Sequence, residues 1–210
     1  LINASDVCAV WENAHKNNIS QTISDGLNNI ITQCTQSIPS FNEQMELSVG
    51  LTGADALSLH TALDGSAFTE TVPAIVEGVK LIAPDAGSII EIGSQGSRFI
   101  TNLDTVPQFA TNGHCAGGTG SFFEDQMSRL GLSIEDYSSY TNKASSIPRL
   151  SGRCAVFAKT DIIHRQQEGV STPDILLGLC YAMIKNYKAT IVKTLPVVKP
   201  VVFCGGVTKN

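Results

Sequence analysis

Hydrophobic and polar residues along the chain fall into blocks whose spacing switches between helical and strand periods. From Ser20 to about Gln36, apolar Ile23, Leu27, Ile30, Ile31 and Cys34 recur at steps of three and four, one face of an amphipathic helix that Pro39 shuts off. MELSVGLTG reads as a short strand running into a glycine turn, and Phe68, Val72, Ile75, Val76 and Val79 mark a second helix. In SIIEIGSQGSRFI an apolar run, Ile89 to Ile92, stops at Gly93, Ser94, Gln95 and Gly96 and restarts at Phe99, as a β-hairpin does. Beyond Cys115 the pattern is mostly helical: about Gly120 to Leu130, Ile134 to Ala144, Ala155 to Gln167, and Thr172 to about Lys193. Thr172 is the expected cap of the last helix, with Pro173 in its first turn and Asp174 near the positive end of the dipole. KPVVFCGG predicts a buried strand of Val201, Val202 and Phe203 meeting a Gly205-Gly206 turn. No repeat, low-complexity tract or charge block divides the chain, so composition sets no domain boundary within 1–210.

The 210 residues are 42% hydrophobic and 16% charged, a globular composition with length for one large domain or two small lobes. A net charge of -5, with no face of clustered lysine and arginine, argues against a nucleic-acid partner. No run approaches the roughly 18 to 20 uninterrupted apolar residues of a membrane span. The opening LINASDVCAVWENAHKNN has no basic segment ahead of an apolar one. A soluble, cytoplasmic protein with no membrane partner is expected. The chain starts without methionine and stops at VVFCGGVTKN, a strand-then-turn pattern; it is expected to be an excised piece of a longer protein.

Three glycine turns each follow or interrupt an apolar strand: IEIGSQGS, CAGGTGS and FCGGVTKN. Phosphates need backbone N–H groups at close range and small residues that let them approach, so a strand entering a glycine turn is a natural nucleotide cradle. That makes Gly93 and Ser94, then Gly117, Gly118, Thr119 and Gly120, then Gly205 and Gly206, candidate nucleotide-binding positions. Any one of these turns, taken alone, is more often a simple tight turn; three in a chain of this size favour the nucleotide reading, though the pattern is neither a Walker loop nor GxGxxG. Glu91, ahead of the first turn, either holds magnesium through water or orients an attacking water, or is a strand-end glutamate facing solvent.

The cysteines need a separate account. Cys8, Cys34, Cys115, Cys154, Cys180 and Cys204 lie far apart without a CxxC, so neither a disulfide framework nor a zinc ribbon is signalled. Cys115 stands at the lip of a glycine loop that opens a helix, and Cys154 follows the polar turn Ser151-Gly152-Arg153 at the start of another. A helix N-terminus favours thiolate, the form that binds metal. The other four read as small buried hydrophobes. Two thiolates cannot complete a zinc site or a cubane cluster, each of which wants four ligands; a two-fold dimer would supply the other two. His114 either completes a metal site or is a surface residue, and His15, His60 and His164 show no ligand spacing. There is no GxSxG, HExxH or triad order.

NGHCAGGTGSFFEDQMSRLG followed by SGRCAVFAKTDI and then FCGGVTKN resembles the ATP-dependent activase components of (R)-2-hydroxyacyl-CoA dehydratases, a family that includes the ATPase subunits of benzoyl-CoA reductase. The resemblance runs from about Met45 to Asn210. It implies an α/β fold like that of actin, sugar kinases and the heat-shock ATPases, with two ribonuclease H-like lobes and ATP between them, here in part. It implies that Cys115 and Cys154 from each of two subunits, or of a second activase-like domain, hold one 4Fe-4S cluster. It implies an electron passed at the expense of ATP to a partner dehydratase or related reductase in anaerobic metabolism. On that basis IEIGSQGS is the second phosphate motif, with Glu91 and Gln95 as its catalytic residues and Mg as the companion of ATP or ADP, AGGTG is a glycine turn near the phosphates, and Gly205-Gly206 is the adenosine motif.

The chain departs from the family at three places. The first phosphate loop, a strand followed by Asp-x-Gly-Ser, is missing, because Asp64-Gly65-Ser66 has no strand before it. The usual DIGGQD reads Glu91, Ile92, Gly93, Ser94, Gln95, Gly96, which keeps the leading carboxylate one methylene longer and loses the trailing one. The strand and helices after the adenosine motif are also missing. Two other readings compete with an electron donor: a regulatory nucleotide-binding module without turnover, which the altered GSQGS favours, and a sugar or acyl kinase, for which no catalytic aspartate stands out.

Overall fold

The computed structural model describes residues 7, 9–13, 18–42, 44, 46, 48–113, 119–152 and 155–209, the side chains of 155 and 156 excepted. The chain divides into two compact units, Leu1–Pro84 and Asp85–Asn210.

The first unit opens with α1 (Ile19–Ser37), capped by Asn18, whose side chain accepts a hydrogen bond from the Gln21 amide. Gly26 is buried on this helix because the Trp11 ring lies where a Cβ would stand, 2.7 Å from its Cε3. Strand β1 is only Gly50–Leu51, helix α2 is Ala56–Ala62, and β2 is Ala67–Phe68, which pairs parallel with β1. Helix α3 spans Thr71–Ile82. Phe68 therefore belongs to a strand and not to the helix its spacing predicts, since Glu70 is extended (φ -58, ψ 151) and breaks the periodic run before Thr71.

The second unit is built on a four-stranded sheet in the order β5-β4-β3-β6. Strands β3 (Ser88–Ile92), β4 (Ser97–Thr101) and β5 (Gln108–Thr111) form an antiparallel meander, and β6 (Val201–Cys204) returns to lie parallel to β3. The predicted hairpin is present, with Ile92 opposite Ser97 and Glu91 opposite Arg98. Ile89, Phe99 and Ile100 are fully buried, so the middle of the sheet is covered on both faces. Strand β6 is not the buried strand its composition predicts: it pairs only with β3, and Val201 and Phe203 remain 38% and 50% exposed.

Between β5 and β6 the chain forms α4 (Gly120–Arg129), a 3-10 turn (Ile134–Asp136), α5 (Tyr137–Thr141), α6 (Ala155–Gln167) and α7 (Thr172–Tyr187), which continues as a π-helical turn, Lys188–Val192. Their apolar faces join Ile92 and Phe99 of the sheet in one core with Phe122, Met127, Ile162 and Leu179. Thr172–Val192 is long and apolar enough, by length and composition, to cross a membrane; in this unit its Ile175, Leu176, Leu179, Met183 and Ile191 are buried in that core.

The single helix predicted over Ile134 to Ala144 is thus a 3-10 turn and a short α-helix. Its anchor is Tyr137, whose hydroxyl donates to the Leu176 carbonyl at 2.6 Å and whose ionisation burial opposes. The cap of α7 is Ser171, one residue before the expected Thr172. Ser171 is extended and its Oγ accepts from the Asp174 amide at 3.3 Å, with Pro173 in the first turn.

The segment from Ser145 to Gly152 runs as a strap along α7. Asp174 Oδ1 accepts from the amides of Ser145 and Ser146, each at 2.7 Å, and Asp161 Oδ2 accepts from the Ser151 amide at 2.7 Å. Two glycines allow the close approach: a Cβ on Gly178 would come within 2.7 Å of the Pro148 carbonyl oxygen, and one on Gly152 would overlap the backbone of Ala182. Hydrogen bonds from the Ser146 backbone and then the Ser171 side chain hold the Asp174 carboxyl below its usual 3.8, against the opposing effect of burial.

Candidate functional site

The Gly93 and Gly205 turns marked in the sequence meet at one end of the sheet, together with Thr119 and Gly120, the described end of the third. Strands β3 and β6 are parallel, so both end on the same side, and their turns follow at once: Gly93 after Ile92, and Gly205 after Cys204. Gly205 has φ +99, and a Cβ there would overlap the Ile92 carbonyl oxygen, so only glycine seats this turn against β3. Helix α4 starts at the same place. Its Gly120 amide donates to the Gly93 carbonyl at 2.8 Å and its Ser121 amide to the Ser94 carbonyl at 2.9 Å. A Cβ on Gly120 would lie 3.2 Å from Ser94 Cα and 3.5 Å from Val207 Cγ2, so residues of all three turns touch at this point. The carboxyl ends of parallel strands in an open α/β sheet are where such folds bind ligands.

The first amides of α4 are therefore committed to the β3–β4 turn and are not left for an anion. Thr119 caps the helix in an extended conformation, is fully buried, and its hydroxyl pairs with that of Ser121 at 3.0 Å. Ser94 and Gln95 are exposed at the tip of the turn, which the Gly93 amide closes by donating to the Gly96 carbonyl at 2.8 Å. Gly206 begins a 3-10 turn, Gly206–Lys209, and a Cβ on it would meet nothing within 4 Å.

Glu91 faces neither open solvent nor an unpaired cavity. Its Oε2 accepts from Arg98 Nη1 at 2.8 Å, and the two side chains are 13% and 24% exposed. The ion pair forms the floor of the turn: a Cβ on Gly93 would stand 2.9 Å from Glu91 Oε1, and one on Gly96 would stand 3.2 Å from Arg98 Nη1. Across β6, Cys204 pairs with Glu91, and burial followed by the Glu91 charge pushes its thiol up. Tyr187 donates to the Arg98 carbonyl at 2.7 Å, and burial, then Glu91 and Cys204, oppose its ionisation. Beyond β5, Asn112 Oδ1 accepts from the Ser97 amide at 2.8 Å, which ties the start of β4 to the segment leading into the cysteine loop.

The structure thus brings Glu91, Gly93, Ser94, Gln95, Thr119, Gly120, Gly205 and Gly206 to one end of the sheet. Gly117, Gly118, Cys115 and Cys154 lie outside the described residues, as does His114. Among the described residues no group of three or more His, Cys, Asp or Glu could hold a metal ion. Of the described cysteines, Cys180 donates to the Tyr137 hydroxyl at 3.2 Å, and burial raises both it and Cys204, so neither favours the thiolate a metal needs. Arg98, Tyr187 and Asn112 were not singled out from sequence. Arg98 was within reach, since counting outward from Gly93–Gly96 pairs Ile92 with Ser97 and Glu91 with Arg98.

The fold is shared with solved structures. Component A of the (R)-2-hydroxyglutaryl-CoA dehydratase of Acidaminococcus fermentans superposes with a TM-score of 0.80 at 23% identity, over 93% of this chain and 73% of that one. The activator of the 2-hydroxyisocaproyl-CoA dehydratase from Clostridium difficile, solved with bound ADPNP, gives 0.75 at 24% identity, over 89% and 67%. The chain has the mixed α/β, actin-like ATPase fold of these structures.

Residues 2–210 match the BadF/BadG/BcrA/BcrD ATPase family, and the chain belongs to it. The match reaches well ahead of Met45, where the resemblance of the motifs begins. One of the subunits of benzoyl-CoA reductase from Thauera aromatica is 30% identical over 161 residues, 75% of this chain and 55% of that protein. The 2-hydroxyisocaproyl-CoA dehydratase activator of Clostridioides difficile is 29% identical over 135 residues, 63% of this chain and 50% of that protein. The chain spans about half the length of the curated relatives it matches.

Proposed function

We propose that the chain is part of an ATP-dependent one-electron donor that activates a 2-hydroxyacyl-CoA dehydratase or a related CoA-thioester reductase. The observation that carries the nucleotide half of this reading is the meeting of the Gly93 and Gly205 turns with Gly120, at the start of α4, at the carboxyl ends of β3 and β6. Gly93 and Gly120 are glycine because protein atoms crowd them, whereas Gly206 has open space beside it and leaves room for a ligand to approach its backbone. Ser94 and Gln95, exposed at the turn, would meet the phosphates of ATP or ADP. Glu91 keeps one carboxylate oxygen outside its pairing with Arg98, against Gly93, to meet a water of a hydrated magnesium ion.

The cofactor half rests on Cys115 and Cys154. Burial raises the Cys180 and Cys204 thiols, whereas the sequence pattern sets Cys115 and Cys154 at helix starts, which favour thiolate. Given twice, by a homodimer or a second activase-like domain, they supply the four ligands of a 4Fe-4S cluster. Such a cluster, when bound, would supply the low-potential electron for the partner. The strap from Ser145 to Gly152, fixed by Asp174 and Asp161, holds the chain that leads into Cys154.

Iron and acid-labile sulfide are measured after anaerobic reconstitution of the wild type, Cys115→Ser and Cys154→Ser. About two irons per chain in a dimer, lost in either variant, are expected; an iron-free, colourless wild-type dimer overturns the electron-donor reading. A second reading, a nucleotide-binding module without turnover, is favoured by the Arg98 clamp on Glu91 and by Gly96 in place of a carboxylate. ADP binding with no ATP hydrolysis by the full-length protein would select it.

A further inference from the structure

Glu91 and Arg98 face each other across β3 and β4 with one bond where two are possible. A guanidinium opposite a carboxylate commonly binds both of its oxygens, yet here only Nη1 bonds Oε2, at 2.8 Å. Glu91 Oε1 lies under Gly93 and takes no hydrogen bond among the described residues, and it is not sealed from solvent as the unpaired Ser97 Oγ and Gln126 Oε1 are. Tyr187 donates to the Arg98 carbonyl at 2.7 Å, a backbone contact that holds β4 in place whatever side chain stands at 98. The pair therefore presents a single carboxylate oxygen at the turn. That number matters to a cation. Ca2+ takes about six to eight oxygens and readily binds a carboxylate through both of its own, whereas Mg2+ keeps several waters and needs as little as one carboxylate beside the phosphates of a nucleotide.

We propose that Arg98 sets the metal preference of the nucleotide site. By holding Oε2 it prevents Glu91 from chelating a cation directly and leaves Oε1 to accept from a water of hydrated magnesium, so the nucleotide is taken with Mg2+ in preference to Ca2+. Arg98 is thus a positioning residue that acts through Glu91. The proposal rests on the nucleotide half of the reading above, and it holds whether or not the nucleotide is hydrolysed.

The test follows ADP binding to the full-length protein by calorimetry, in magnesium, in calcium and in EDTA, for the wild type and for variants at 91 and 98. In the wild type, ADP should bind about tenfold tighter with magnesium than with calcium. Arg98→Met frees both oxygens of Glu91 and should close that gap, mainly by tightening binding in calcium. Arg98→Lys keeps one charged donor for Oε2 and should preserve it. Glu91→Gln should lose the preference, and adding Arg98→Met to it should change nothing more, which is the signature of a residue that acts through Glu91. A merely structural Arg98 would, when replaced, weaken ADP equally in all three conditions. That result, equal binding in both metals by the wild type, or a gap that survives Arg98→Met would each overturn the proposal and leave the nucleotide reading in place. No ADP binding by the wild type in any condition would overturn both.

Discussion

Helices α4 and α7 both begin where the sequence marks a helix start, yet their first donors are met in opposite ways. At α7 the cap is local: Ser171 accepts from the Asp174 amide, and the Asp174 carboxylate is turned outward to hold Ser145 and Ser146. At α4 the cap is remote. Thr119 gives no side-chain cap, and the Gly120 and Ser121 amides go to the carbonyls of Gly93 and Ser94 in the β3–β4 turn. One helix start stands by itself and exports a charge to organise a loop, whereas the other exists only where the candidate site has already been assembled.

The comparison is broken most severely by Gly205→Val. The residue has positive φ and no room beside the Ile92 carbonyl, so a loss of about 3 kcal/mol or more is expected in urea unfolding. Amide exchange at Gly120 and Ser121 should rise far more than at Asp174. Gly120→Ala is milder. Its Cβ would press on Ser94 Cα at 3.2 Å and the Gly93 carbonyl oxygen at 3.3 Å, and about 1–2 kcal/mol should be lost, with binding at the glycine turns impaired as well.

Ser171→Ala removes only a local cap and should cost about 1 kcal/mol, leaving exchange at Gly120 unchanged; an equal rise at both helix starts would contradict the independence drawn here. The smallest effect is electrostatic. Hydrogen bonds to the Ser146 backbone and Ser171 lower the Asp174 pKa, so its ionised form is favoured in the folded chain. The stabilisation is fully present above the ordinary value of 3.8 and is lost as pH falls through the lowered folded value. Asp174→Asn should therefore be less stable than wild type near neutrality, and the gap should close in acid. A gap unchanged down to pH about 2 would assign the effect to shape instead of charge.

Elements with strong local signals were legible in the sequence. The hairpin at Ile89–Phe99, the start of α4 at Gly120 and the full span of α6 needed only periodicity and turn chemistry. The short strand read in MELSVGLTG is present as Gly50–Leu51, whereas β2 and β5, of two and four residues, carry too little pattern to be read without their pairing partners. The exposure of β6 depends on its place at the sheet edge, which composition does not encode. At the candidate site, the Gly93 and Gly205 turns and the helix start at Gly120 were legible one by one. Their convergence was not, because it follows from the parallel pairing of β3 with β6, and neither was the commitment of α4's first amides to carbonyls of the turn.

The pairing of β3 with β6 also bears on how the molecule reaches its final state. These strands open and close the second unit in sequence, so the contacts of Ile89 and Glu91 with Val202 and Cys204 span nearly all of it. Loop-closure entropy must be met before such a contact returns any free energy, so the β3–β6 ladder belongs to the slow, late part of folding. The Gly205 turn seats on Ile92 in that same step. A ligand held between these turns would therefore bind the finished chain and none of its precursors, and its concentration would act as a mass-action ratchet on the last folding event.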